Sequence, residues 1–156
     1  MRRLLLSVFV LSTLLFCACH KEEEKPVEQP VDNNPANAFV GEYDVDVEAT
    51  LILPIIGEYP LSMPDMDGSI VKVGDDGDVR VTLFGQTQDA YVRNDGMHVD
   101  PFIMNQDISG MTLAITVAMP VVKAPVDGVI TTTAILSGTT SLGAINGTAD
   151  IVAVRR

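Results

Sequence analysis

The chain has 156 residues, of which 47% are hydrophobic and 5% aromatic, with no Trp, and its 10 basic against 21 acidic side chains give a formal net charge of −11 at pH 7. That balance argues against nucleic-acid binding, which needs a cationic face, and against docking of the protein surface onto anionic lipid. Both cysteines, Cys17 and Cys19, fall in the first 20 residues, so the rest of the chain has no disulfide, no thiolate nucleophile and no cysteine metal site.

In chain order, Arg2-Arg3 is followed by the apolar run Leu4 to Phe16. A short basic segment before an apolar one reads as an export signal. The run is about a dozen residues, where a membrane-spanning helix needs roughly 20. It ends in Phe16-Cys17-Ala18-Cys19. This arrangement resembles the lipobox of bacterial lipoproteins: a large apolar residue, two small ones and the lipidated cysteine, with Phe16 where Leu is commonest. The resemblance implies that residues 1–18 are a signal peptide and that Cys19 becomes a diacylated N-terminus. Cys17 is unsuited as acceptor, because Phe16 would then occupy the small position before it. Removing residues 1–18 takes away Arg2 and Arg3 and no acid, leaving 8 basic against 21 acidic side chains, a net of about −13.

Lys21-Glu22-Glu23-Glu24 comes directly after. It is similar to the surface-export signal of Bacteroidota lipoproteins, a Lys followed by acids close to the lipidated cysteine, and this implies display on the outer face of the outer membrane. Lys25 to Ala38, rich in Pro and Asn, has too few apolar residues for a core. Residues 19–38 therefore read as the lipidated cysteine and an acidic, Pro-rich disordered tether, extended at about 3 Å per residue.

Residues 39–156, about 118 of them, have the size of a single domain. Val45, Val47 and Ala49 alternate with Asp44, Asp46 and Glu48, the period of a strand with one buried face. Val79–Leu83, Met111–Met119, Val129–Leu136 and Ala149–Val154 repeat this pattern or are rich in β-branched residues. Asp67-Gly68, Asp76-Gly77, Asp95-Gly96, Ser109-Gly110, Asp127-Gly128, Ser137-Gly138 and Asn146-Gly147 read as tight turns between strands. No stretch carries a sustained helical period. The domain is therefore all-β, an antiparallel barrel or, alternatively, a β-sandwich. The prolines of Pro54–Pro64 exclude a central strand there and leave an edge, a loop over the barrel mouth or a bulge.

Phe39-Val40-Gly41-Glu42-Tyr43 resembles the Gly-x-Tyr/Trp entry strand of calycins, and Ile145–Ile151 resembles the last strand of small Bacteroidota calycin-like (lipocalin-like) lipoprotein domains. The likeness implies an up-and-down barrel of about eight strands.

The tempting polar residues give no catalytic set and no cofactor or metal site. Asp65-Met66-Asp67-Gly68 and Asp75-Asp76-Gly77-Asp78 lack the spaced oxygens and closing Glu of a calcium loop and read as hairpin turns. Asp44, Asp46 and Glu48 read as a solvated face. His98 has no Cys or second His near it for zinc, and no Gly-x-Ser-x-Gly elbow accompanies it. The six methionines from Met63 to Met119 read as core filling, with an adaptable pocket as the alternative. Pro54-Ile55-Ile56 and Met119-Pro120-Val121-Val122 are candidates for exposure, and an interaction module predicts an exposed apolar patch near Pro54 or Pro120. The chain is thus expected to be a non-enzymatic binding or interaction module, its partner a protein, a glycan or a small apolar ligand. The alternative is a lipocalin-like carrier, which requires an open lumen of several hundred cubic ångströms.

Overall fold

A computed structural model describes residues 33–108 and 110–156. The signal peptide, Cys19, Lys21–Glu24 and the tether up to residue 32 lie outside the described residues. Among the described residues, nine strands follow one short 3-10 helix, Pro35–Ala38: β1 (Gly41–Leu53), β2 (Gly57–Lys72), β3 (Asp78–Leu83), β4 (Gln86–Arg93), β5 (Gly96–Val99), β6 (Phe102–Ile108), β7 (Met111–Ala118), β8 (Val129–Thr140) and β9 (Gly143–Arg155). They form one antiparallel sheet in the order β5-β4-β3-β2-β1-β9-β8-β7-β6, curled into a half-barrel. This is the all-β architecture that the alternation predicts, in the up-and-down order that the calycin resemblance implies, and not a sandwich of two sheets.

The two edge strands are consecutive in the chain, separated only by Asp100-Pro101. β5 pairs with β4, and Asp100 N–H still reaches the Asp89 carbonyl at 3.4 Å. β6 pairs with β7, beginning at Phe102↔Val117. Five residues further along each strand, Met97 and Val122 exchange both backbone hydrogen bonds, at 2.8 and 2.9 Å. Residues 96–108 therefore act as one bent strand that leaves β4 for β7. Pro101, with no N–H to give, sits at the crossing. Counted this way, the sheet has the eight strands expected of the barrel.

Along β1, the side chains of Tyr43, Val45, Val47, Ala49, Leu51 and Leu53 are buried while Glu42 to Ile52 on the other parity face outward. That is the period-two rule at work: one face joins the core and the other meets water. β2 is paired with β1 from Gly57 onward, but β3 joins it only from Ser69 to Lys72. The outer edge of Gly57–Gly68 thus has no strand partner, and Pro60 and Pro64 lie on it, where a missing N–H blunts an edge against strand addition. Pro64 and Asp65 together face Asp46 in a β-bulge. Asp65 takes φ 55° there and donates its N–H to Asp46 Oδ1 at 2.9 Å.

Several glycine dipeptides depart from the expectation of turns. Asp76-Gly77, Asp95-Gly96 and Asp127-Gly128 lie between strands, but Asp67-Gly68, Ser137-Gly138 and Asn146-Gly147 lie inside β2, β8 and β9. Asp65-Met66-Asp67-Gly68 is accordingly bulged strand and not a hairpin turn. The reason is close approach. A Cβ at Gly68 would stand 2.7 Å from Val45 Cγ2, and one at Gly138 would stand 2.7 Å from the Ala114 carbonyl oxygen. The tight β3–β4 turn instead uses Phe84-Gly85, both with positive φ, as the two-residue hairpin geometry requires.

Pro35–Ala38, grouped with the tether by composition, belong to the fold. Asn34 caps the 3-10 helix by accepting from Ala36 N–H at 2.9 Å, and its amide donates to the Gly74 and Asp75 carbonyls at 3.2 and 2.9 Å. Ala36 and Phe39 are buried and close this end of the barrel. Tyr43, 1% exposed, donates its hydroxyl to the Phe39 carbonyl at 2.5 Å. Arg155 donates to the Tyr43 hydroxyl at 3.0 Å and to the Ala38 carbonyl, with its guanidinium 5.6 Å from the Tyr43 ring centre. The last strand thereby latches the entering chain onto the first. Tyr43→Phe keeps the ring but leaves the Phe39 carbonyl without its donor. The expected loss is about 1–3 kcal/mol, read as a lower urea midpoint with an unchanged slope.

Candidate functional site

The interior comes first, because a carrier would bind there. An apolar cavity at the closed half, lined by side chains including Tyr43, Val45, Met97, Met119, Ile130 and Ile151, measures about 50 Å³. That is room for no more than a few waters. Ligand sites of drug size need roughly 300–1,000 Å³. The lining has the Met, Ile and Val character expected of a lumen, but the volume is several-fold too small.

The ionisable residues do not converge. Asp44, Asp46 and Glu48 project outward from β1, as the alternation predicts. Asp44 pairs with Arg156 at 2.6 Å, and Glu48 accepts from the Ser62 hydroxyl at 2.6 Å. His98 braces the β4–β5 turn. Its Nε2 lies 2.9 Å from Asp95 Oδ1, and its ring stacks on Tyr91 at 4.7 Å and 6°. The hydrogen bond from His98 holds the Asp95 carboxyl below its usual value of 3.8. A carboxyl lowered in the folded state supports that state above pH 3.8, and the support fades as pH falls through the lowered value. Lys123 Nζ also donates to the Asp95 carbonyl at 2.9 Å. Among the described residues, no three His, Cys, Asp or Glu side chains are grouped as a metal site, and no helix is long and apolar enough to cross a membrane.

The far end of the barrel is different in character. Here the β1–β2 turn, Pro54–Ile56, packs on the β8–β9 turn: a Cβ at Gly143 would stand 3.3 Å from Pro54 Cγ. Ile55 is 87% exposed and has φ 75°. A β-branched side chain in left-handed backbone is a strained conformation, and here its side chain is also held in water. Ile52, Ile56, Met111 and Leu142 are exposed around it. Between the turns lies a depression of about 50 Å³, lined by Leu53, Pro54, Ile56, Met111, Leu113 and Leu142 together with Thr140 and Ser141. Such a hollow takes the end of one apolar side chain.

Charge is nearly absent from this end. The segment Thr131–Ala149, which includes the β8–β9 turn, holds no ionisable residue, and Glu58 and Asp107 are the acids nearest the other turns. This tip thus combines a strained backbone position with exposed apolar side chains and little charge.

Of the two apolar segments that are candidates for exposure, Pro54-Ile55-Ile56 lies on this tip. Met119–Val122 does not: Val122 is 2% exposed and bridged to Met97, because this segment prolongs the β7 ladder. Met111 and Leu142 were not legible as partners of Ile55, since they are far apart in sequence and only the strand order brings their turns together. Compared with known protein families, curated proteins and solved structures, the chain matches none.

Proposed function

We propose that this chain is an outer-membrane-anchored surface lipoprotein of the Bacteroidota calycin-like type, acting as a non-enzymatic interaction module. In this reading Cys19 carries the lipid, Lys21, Glu22, Glu23 and Glu24 route the protein outward, and the apolar tip around Ile55 makes contact with a protein or glycan. The observation that carries the reading is the placement of that tip. The chain enters the domain at Asn33, beside the closed end, where Asn34 bonds to Gly74 and Asp75. Ile55 sits at the opposite end of β1. β1 has 13 residues, which at about 3.4 Å each and a tilt near 40° raises the tip roughly 30–35 Å above the entry point. The strained apolar turn thus lies at the end of the barrel opposite the one where the chain enters at Asn33.

The small cavity favours this over the carrier. A fluorescent fatty acid titrated into the protein is expected to show no stoichiometric uptake. One-to-one binding that Ile130→Trp, which fills the cavity, weakens would replace the interaction reading with the carrier. A photo-crosslinker placed at Ile55 on intact cells is expected to form adducts that one at Glu48 does not, and equal yields at the two positions would remove the tip from the proposal.

A further inference from the structure

The outer wall of the barrel is divided by charge. On β1 and β2 it carries Glu42, Asp44, Asp46 and Glu48, then Asp65 and Asp67, all outward. On β6 to β9 it is nearly free of charge. Strand register places Ile103, Thr116, Ser137 and Asn146 in one row across that wall. Ala118, Ile135 and Thr148 form the next row and run on to Thr50. Neither row contains an ionisable side chain. The two acids elsewhere on this wall are each bound by a neighbouring threonine hydroxyl, Asp150 by Thr133 at 2.7 Å and Asp107 by Thr112 at 2.5 Å. Ile135 is 60% exposed and Ile103 57%, and the side chains around them are small.

We propose that this wall is where a second copy of the chain packs. The charge distribution selects that occupant. At a formal net charge of −11, two copies repel through most of their surface, and contact through the β1–β2 wall would oppose carboxylates directly. Contact centred on the two uncharged rows of the β6–β9 wall opposes none directly and leaves both β1–β2 walls in water. Shape agrees with charge. A two-fold axis in the interface, running between β7 and β8 along the strands, sets Ile135 of each copy against Ala118 of the other, a knob over a small residue. Such an isologous contact closes at a dimer. The same axis keeps both Asn33 ends on one side and both tips on the other, so two copies anchored in one membrane meet this way without inversion. Confinement to that membrane raises their effective concentration. The orientation rests on the anchored reading above; the association does not.

The test uses the full chain in detergent. Sedimentation is expected to give twice the monomer mass, and Ile135→Glu to raise the dissociation constant about tenfold or more. Because Ile135 is exposed, the substitution leaves the fold intact, checked by an unchanged melting curve. In cell membranes, Ile135→Cys is expected to crosslink through a short bis-thiol reagent well above the unsubstituted chain, and Glu48→Cys is not. A monomeric mass in detergent together with no crosslink above that baseline overturns the proposal, as does equal crosslinking at the two positions. Loss of membrane association with a persisting dimer removes the anchor and leaves the wall contact standing.

Discussion

Replacing Cys19 with alanine abolishes incorporation of a palmitate analogue and moves the chain from the membrane to the soluble fraction, whereas Cys17→Ala leaves both unchanged. The asymmetry follows from the residues before each cysteine. Ala18 and Cys17 are small and precede Cys19, while the bulky Phe16 directly precedes Cys17. The effect is expected to be large because, in the lipoprotein reading, the acyl chains are the anchor. The domain is acidic, and among the described residues no helix is long and apolar enough to cross a membrane. Each buried methylene contributes about 0.8 kcal/mol, so two acyl chains hold firmly where a single chain binds only marginally. Unchanged labelling in Cys19→Ala would end the lipoprotein reading. Replacing Lys21 and Glu22–Glu24 with alanine separates the second signal: labelling persists, but protease added to intact cells no longer removes the domain. Continued cleavage by that protease would take the address away from these four residues.

Much of the fold was legible because one face of each strand is buried and the other is wet. Asp44 to Ala49 shows this on β1, where every expected inward and outward position is found. The same rule located β3, β7, β8 and β9. What failed was the reading of glycine. An Asp-Gly or Asn-Gly pair signals positive φ, but in a strongly curled sheet glycine also appears where two backbones nearly touch, and a dipeptide carries no mark of which demand it serves. The prolines of β2 were read correctly as barred from a central strand, though only the shortness of β3 shows why an edge is available there. The interior volume was not legible either. It depends on how side chains from most of the strands, Tyr43 to Ala153, fill the space between them, and the composition of Pro35–Ala38 hides that this segment belongs to the fold. The exposed apolar tip is half legible, through Ile55 and Ile56. Its other half comes from turns near residues 111 and 142, which sequence distance hides.

Gly147→Val destabilises the domain by on the order of 3 kcal/mol, the upper range for forcing bulk into a packed site, and lowers the melting temperature by about 10 °C or more. Gly147 lies within β9 opposite Leu51, and a Cβ there would stand 2.2 Å from the Thr50 carbonyl oxygen and 3.1 Å from Leu51 Cα. Both are backbone atoms of β1, so no rotamer change relieves the clash. The strands must separate, and β1–β9 is the pairing that joins the two ends of the chain into one curled sheet. Separation also loosens Leu51 and Ile145, which are fully buried beside this contact. Even Gly147→Ala is expected to be clearly destabilised, since the clash begins at Cβ. Gly74→Ala is the control: a Cβ there meets nothing within 4 Å and φ is ordinary, so the substitution is neutral or slightly stabilising through the unfolded state. Similar melting curves for Gly147→Ala and Gly74→Ala would mean that β1 and β9 are not in close contact at this point. A fall confined to Gly147 would tie the closure of the sheet to a residue whose dipeptide, Asn-Gly, reads locally as a turn.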